Sequence, residues 1–252
     1  GPVTLVLLIG MAAGPLMRWR FDQAKKVAER LALPALALAL AALLLAAFAG
    51  PIGILPLLGL VVAAGVAAAS VAPLWKRNLR RTPLFTWGMV IAHLGCAVSM
   101  AGMAADSAFT KEALVAMQIG QTQQIGPYSV TLNKVTEEPG PNWSALDAEM
   151  IVRKGDDAPF TVHPQSRTFT DPPMETNESA ITTAWNGQLY LVIGIPKDNA
   201  GFPVRFYWKP FVTLIWIGGI FIALGGLLSL FGRVNRDLFR LRRLCGKKVA
   251  AS

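Results

Sequence analysis

The sequence predicts an integral membrane α-helical protein of about five transmembrane helices, with a small, mostly β extracytoplasmic domain inserted before the last helix. Three observations predict it. Of 252 residues, 53% are hydrophobic and only 15% are charged, against about 25% charged in soluble domains. The apolar residues gather into runs near the ~20 residues that a helix needs to cross a bilayer's hydrocarbon. The charges also separate by sign along the chain. Basic residues cluster at 18–30, 76–81 and 233–248, whereas 106–209 holds eight basic against twelve acidic residues, a net of −4. The overall +9 is therefore a topology signal on short loops rather than a nucleic-acid footprint.

Each element follows in order. Residues 3–17 form a short apolar run closed by Arg18, Trp19 and Arg20. The run starts at once from Gly1 with no initiator Met, which reads as a cut or processed start with part of the machine missing. Residues 18–30 read as a basic inside loop, and 31–49, almost pure Ala and Leu, as an outward crossing with Pro34 in its first turn, where a missing amide donor costs little. Gly50, Pro51, Gly53 and Pro56 mark an outer hairpin. Residues 57–74 return to the basic loop KRNLRR (76–81), 84–105 go out again, and 209–231 make the last crossing before a basic tail. All three basic segments fall on one side.

The segment 106–208 has the opposite chemistry. Period-two alternation predicts strands at 128–135, 148–152, 188–195 and 203–207. The turn clusters EEPGPNW (137–143), KGDD (154–157) and IPKDNAGFP (195–203) separate them. A small β-barrel or sandwich, tethered at both ends by helices, is expected. Trp19, Trp75, Trp87, Trp208 and Trp216 lie at or near helix ends, where aromatic belts form. The two cysteines, Cys96 inside a crossing and Cys245 in the basic tail, cannot meet in a disulfide on this topology, and CxxCH is absent.

The chemistry-bearing residue is His93, the one ionisable side chain within the run LFTWGMVIAHLGCAVSMAGMAA (84–105). Hydrocarbon offers an imidazole no water, so it needs a partner. Three kinds remain open: a polar group on another helix, a proton path, or a metal, foremost haem iron. Met89, Cys96, Ala97 and Met100 share its side of the helix. Gly88, Ala92, Gly95 and Ser99 form a nearby small-residue stripe that would let a helix or a flat ligand approach the backbone. The GG pairs at 218–219 and 225–226 read as helix packing. His163, before Pro164, reads as a solvated loop histidine or a transient haem or metal contact, and Arg167 as a surface arginine or a carboxylate clamp. No nucleophile–base pair or phosphate-gripping loop emerges.

Several stretches in order resemble one family: GMVIAHLG (88–95), the spaced Gly120, Gly126 and Tyr128, GPNW (140–143), HPQSRTF (163–169), PMETNESAI (173–181), LYLVIG (189–194) and the return VRFYWKPFVTLIWIGGIFIALGG (204–226). Together they resemble the C-terminal part of CcmF, the cytochrome c-type biogenesis protein (CcmF/NrfE family) of the haem lyase complex. Gln165 and Ser166 depart from the family's Glu-Lys at those positions. The resemblance implies that His93 is an axial ligand of a structural haem b whose second ligand lies outside this sequence. It also implies that the chain works within a haem lyase and is not active alone. The implied partners are the upstream part of CcmF, CcmH-like maturation proteins, a CcmE-like haem chaperone and apocytochrome c. The implied location is a bacterial inner membrane with 106–208 periplasmic and the basic loops cytoplasmic. The family's WWD segment and its outside histidines are not among these residues. A competing expectation is a non-enzymatic membrane scaffold whose β-domain binds a partner protein, with His93 only a packing residue.

Overall fold

The computed structural model describes residue 10 and residues 24–48, 50, 52–74, 78–196 and 201–249. It divides into two compact units, residues 109–213 and the helical remainder. In the helical unit, α1 spans Ala24–Phe48, α2 Ile54–Val71, α3 Leu84–Phe109 and α4 Thr213–Val249. Three stretches, Ile54–Leu74, Leu84–Phe109 and Thr213–Arg236, are long and apolar enough to cross a membrane, and a shorter apolar stretch covers Pro34–Leu44. The expected run at 3–17 lies outside the described residues, as do Trp19 and Trp75.

Two helices, α1 and α4, depart most from expectation. Residues 24–30 are helical rather than loop. The stretch AKKVAERLAL is rich in Ala, Lys, Glu and Leu, which lose little entropy in a helix, so α1 starts a full two turns early. Pro34 therefore sits inside the helix and withdraws one amide from its ladder. The last helix begins at Thr213, not 209, because Lys209 and Pro210 still belong to a strand, and it runs on through the basic tail to Val249. Between α2 and α3 the basic loop holds a short 3-10 turn at Leu79–Arg81, where the Asn78 side chain accepts from the Arg80 amide.

Glycines set the packing of this unit. Gly65 of α2 lies against Leu38 of α1, and Gly59 of α2 against Ala104 of α3. In each case an added methyl would fall under 3 Å from its neighbour.

The second unit is a β-sandwich of two antiparallel sheets. Its strands are β1 Lys111–Met117, β2 Thr122–Ile125, β3 Tyr128–Pro139, β4 Trp143–Lys154, β5 Phe160–Val162, β6 Gln165–Thr170, β7 Pro173–Glu178, β8 Ala180–Ala184, β9 Gly187–Ile193 and β10 Phe202–Pro210. One sheet runs β1-β10-β9-β8; the other runs β2-β3-β4-β6-β7, with β5 added on β4. Alternate residues of both sheets point inward: Val130, Leu132, Met150 and Val152 from one, Leu189, Leu191, Ile193, Val204 and Phe206 from the other. This is the period-two burial of a two-layer sandwich.

All four expected strands are present, and three are longer. Residues 137–139 pair with 144–146, so the expected seven-residue turn shrinks to Gly140–Asn142. A bulge at Asn133 shifts the register between Leu132 and Lys134, which breaks the apolar alternation there. The strands β1, β2 and β5–β8 carried no clear alternation. Those at sheet edges have little to bury, as the largely exposed β7 shows.

Trp208 corrects the aromatic-belt expectation. It is 6% exposed in the sandwich core, its ring 5.2 Å from that of Tyr128 and pressed on Gly126. Its neighbours on β10, two residues apart, also point inward, so the strand period decided its place. Trp87 and Trp216 do lie in the first turns of α3 and α4.

Candidate functional site

The small-residue stripe of α3 is occupied by a helix. Gly88 packs on Gly225 and Ser229, Ala92 on Gly225, Gly95 on Gly218 and Ile222, and Gly102 on Leu214 and Ile215. The Ser99 hydroxyl donates to the Ile215 carbonyl at 3.1 Å. Glycines recur every seven residues on both helices, at 88, 95 and 102 and at 218, 225 and 232. Two antiparallel helices thus meet along one glycine-lined seam at close backbone approach, where dispersion and short polar contacts hold helices together in lipid. Of the two visitors the stripe could admit, a helix or a flat ligand, the helix is there.

His93 lies round the helix from that seam, one residue past Ala92 and two before Gly95. It shares a row with Ala97 and Ala104, four and eleven residues on, and Ala104 is the residue that meets Gly59 of α2. Its ring is half-buried. Its Nδ1 lies 2.8 Å from the Met89 carbonyl oxygen. A carbonyl only accepts, so Nδ1 carries the proton and donates. Nε2 then holds the lone pair, and no partner for it occurs among the described residues. An imidazole whose N–H is fixed by a backbone carbonyl is the arrangement that presents the other nitrogen to a metal.

The sandwich carries a second polar constellation. Asp147 is 6% exposed on β4. Its Oδ2 lies 2.9 Å from His163 Nδ1, and its Oδ1 accepts from Gln165 Nε2 at 2.9 Å. The same Gln165 turns its Oε1 to Arg167, accepting from Nε at 3.0 Å and from Nη2 at 2.7 Å. Arg167 lies 4.6 Å above the Trp143 ring and 3.7 Å from Glu178. The residue types explain the chain: an amide can donate to a carboxylate at one end and accept from a guanidinium at the other, which neither Glu nor Lys can do.

His163 does sit in a loop, between β5 and β6, with its side chain 53% exposed, but the buried carboxylate anchors one of its nitrogens. Arg167 is not a free surface arginine, since its donors and its face are engaged. Sequence reasoning passed over Asp147, which with Glu149 is one of two carboxylates inside the strand stretch SALDAEMIV. Among the described residues no group of three or more His, Cys, Asp or Glu side chains is placed to hold a metal ion.

Residues 108–210 match the family described as the CcmF C-terminal beta-sandwich. The cytochrome c-type biogenesis protein CcmF of Haemophilus influenzae is 32% identical over 91% of this chain and 37% of its own length. That of Escherichia coli strain K12 is 34% identical over 91% of the chain and 36% of its own. The biogenesis protein ccl1 of Rhodobacter capsulatus is 34% identical over 96% and 38%. The chain belongs to the CcmF family.

It spans little more than a third of the length of these curated relatives. The solved structure of the cytochrome c haem lyase CcmF superposes with a TM-score of 0.75 at 20% identity, covering 91% of this chain and 39% of that one, and at that identity it shows the fold. Within the CcmF frame, Gln165 stands where a glutamate was expected. A carboxylate there would face the buried Asp147 carboxylate and could not donate to it as the Gln165 amide does.

Proposed function

We propose that this chain is the C-terminal part of a cytochrome c maturation haem lyase subunit, in which His93 is one axial ligand of a structural haem b. One observation carries the ligand assignment. The Nδ1–H of His93 is tied to the Met89 carbonyl, which leaves Nε2 with a lone pair and no partner among the described residues. By helical spacing Met89 and Met100 fall on the same side of α3 as His93, and apolar side chains there suit a macrocycle. The residues fit the group.

When bound, haem b supplies a one-electron couple that keeps a second, substrate haem reduced. The chain's own work is to orient the imidazole, through Met89, and to hold α3 in place, through its glycine seam with α4. A second ligand would come from outside these residues, as the family resemblance implies. We assign the sandwich, taken as 106–208 in sequence, to the periplasmic side of a bacterial inner membrane, where it docks apocytochrome c and the CcmH-like and CcmE-like partners. The basic loops and tail are cytoplasmic, and Ile54–Leu74, Leu84–Phe109 and Thr213–Arg236 cross the membrane, with 3–17 and 31–49 read from the sequence as two further crossings. The positive-inside pattern supports this orientation.

The test is the optical spectrum of the assembled complex, with this chain co-expressed beside the upstream part of the protein. His93→Ala is expected to remove the b-type absorbance and to lower the yield of holocytochrome c. An unchanged spectrum and yield would overturn the ligand assignment and favour a scaffold that only packs His93.

A further inference from the structure

The turn between β8 and β9 carries a residue that its own domain does not explain. Ala184 pairs with Gly187, which leaves Trp185 and Asn186 as a two-residue hairpin tip. Such tips normally take Asn, Asp or Gly for their backbone freedom. Here the first position is a tryptophan, 85% exposed. A large aromatic side chain in water forfeits the gain of burial, and nothing in the sandwich covers this one.

The place of this turn in the fold suggests what does. The Thr213 hydroxyl donates to the Trp185 carbonyl at 2.9 Å, and the Phe211 amide donates to the Asn186 carbonyl at 2.8 Å. Thr213 is the first residue of an apolar stretch long enough to cross a membrane, and Phe109 is the last residue of another. Phe211 joins the two. It holds a left-handed backbone, φ 64, rare for a bulky residue, with its ring edge-on to Phe109 at 6.3 Å between centroids. Phe211 is itself 43% exposed. The turn that carries Trp185 is thus bonded to the segment where one apolar helix begins, and Phe211 of that segment contacts the last residue of the other.

We infer that the β8–β9 turn is a membrane-interface anchor, with Trp185 inserted among the lipid headgroups and the first acyl carbons. An indole suits that layer because its ring is apolar and its N–H can find water or a phosphate ester. The hydrogen bonds to Phe211 and Thr213 fix the turn beside the helix start, so its depth follows that of the helix. This is the role that the sequence pattern gave to Trp208 and that the fold transfers to Trp185. The anchor ties the turn to the bilayer surface. It rests on the reading of Leu84–Phe109 and Thr213–Arg236 as membrane crossings, not on any haem assignment.

The test uses the full chain in phospholipid vesicles and the fluorescence difference between wild type and Trp185→Phe, which isolates this indole from the other six tryptophans. Phosphatidylcholine brominated near the glycerol end of the acyl chain is expected to quench the difference emission more strongly than lipid brominated near the terminal methyl. Aqueous iodide is expected to quench it weakly, and its maximum to lie to the blue of an indole in water. Strong iodide quenching with no effect of brominated lipid would overturn the proposal. So would insensitivity to both, which would mean that a protein covers the turn. Trp216, 69% exposed one turn into α4, serves as the control: its difference signal from Trp216→Phe reports whether that helix is in the bilayer at all. If it is not quenched by brominated lipid either, the crossing itself is wrong and the anchor falls with it.

Discussion

Gly95 of α3 and Gly218 of α4 meet backbone to backbone: a methyl built on Gly95 would lie 2.6 Å from the Gly218 carbonyl oxygen. The two GG pairs of α4 divide accordingly. Gly218 and Gly225 lie in the seam, whereas Gly219 and Gly226 have nothing within 4 Å of an added methyl. Backbone cannot move aside as a side-chain tip can, so Gly218→Ala is expected to lower stability by about 1–3 kcal/mol through overpacking. Gly219→Ala is expected to be neutral or to gain up to about 1 kcal/mol from helix propensity. Thermal unfolding of the purified chain in detergent, followed by helical circular dichroism, separates the pair. Equal effects at the two positions would contradict the seam.

The Asp147–Gln165 contact makes a second prediction. Asp147 is almost wholly buried, and the Gln165 amide satisfies one of its oxygens. Removing either partner leaves a buried polar group short of a bond, at a cost of about 1–3 kcal/mol. Asp147→Ala and Gln165→Ala should therefore each destabilise the sandwich, and the double variant should cost less than their sum by at least about 0.5 kcal/mol, as groups in one network do. Denaturant midpoints of the four proteins complete the cycle. Simple additivity would show that the amide is not what holds the carboxylate.

Asn142, the third residue of the GPNW stretch, stitches two turns together. Its Oδ1 accepts from the Thr170 hydroxyl at 2.6 Å and from the Asp171 amide at 3.2 Å, and its Nδ2 donates to the Asp171 carbonyl at 2.7 Å. The site is exposed, so each bond is worth about 0.5–1.5 kcal/mol net. Asn142→Ala is expected to raise hydrogen exchange at the β6–β7 turn and to cost about 1–2 kcal/mol in all. Asn142→Asp keeps the accepting oxygen and should recover part of this. Unchanged exchange at Thr170 and Asp171 in the alanine variant would refute the stitch.

The contrast between what the residues announced and what they concealed has a physical basis. The crossings and the inner strands were legible because burial imposes a pattern: a continuous apolar run for Leu84–Phe109, and strict alternation for Gly187–Ile193, whose residues are buried at every second position. The edge strand Pro173–Glu178 buries almost nothing, so PMETNE showed no period to read. His93 was legible as an isolated charge-bearing group among apolar residues. Its hydrogen bond to Met89 was not, because any helical histidine has a carbonyl one turn back and only the rotamer decides whether it is used. The stripe Gly88, Ala92, Gly95 and Ser99 promised close approach without naming the visitor, and only α4 in place identifies it. The Asp147–Gln165–Arg167 chain joins β4 to β6, where Asp147 stands opposite Gln165, a pairing between strands that no local pattern encodes.

Tyr128 gives a pH prediction of definite sign. It is 2% exposed in the sandwich core, its ring tilted against that of Trp208. Burial, and then the negative charge of Asp157, push its phenol above the ordinary value of 10.0. The folded state thus keeps this proton more tightly than the unfolded chain does. Below pH 10.0 both states are protonated and the full stability is present. Above it the unfolded chain releases the proton first, so stability falls as pH rises towards the folded pKa. Wild type is expected to lose stability through that alkaline window, while Tyr128→Phe, with no phenol to ionise, should lose less. Denaturant unfolding at neutral pH and above pH 10.0, followed by near-ultraviolet circular dichroism, measures the difference. The gap between the two proteins should shift in favour of the phenylalanine variant as the solution becomes alkaline, and a constant gap would show that Tyr128 does not titrate with unfolding.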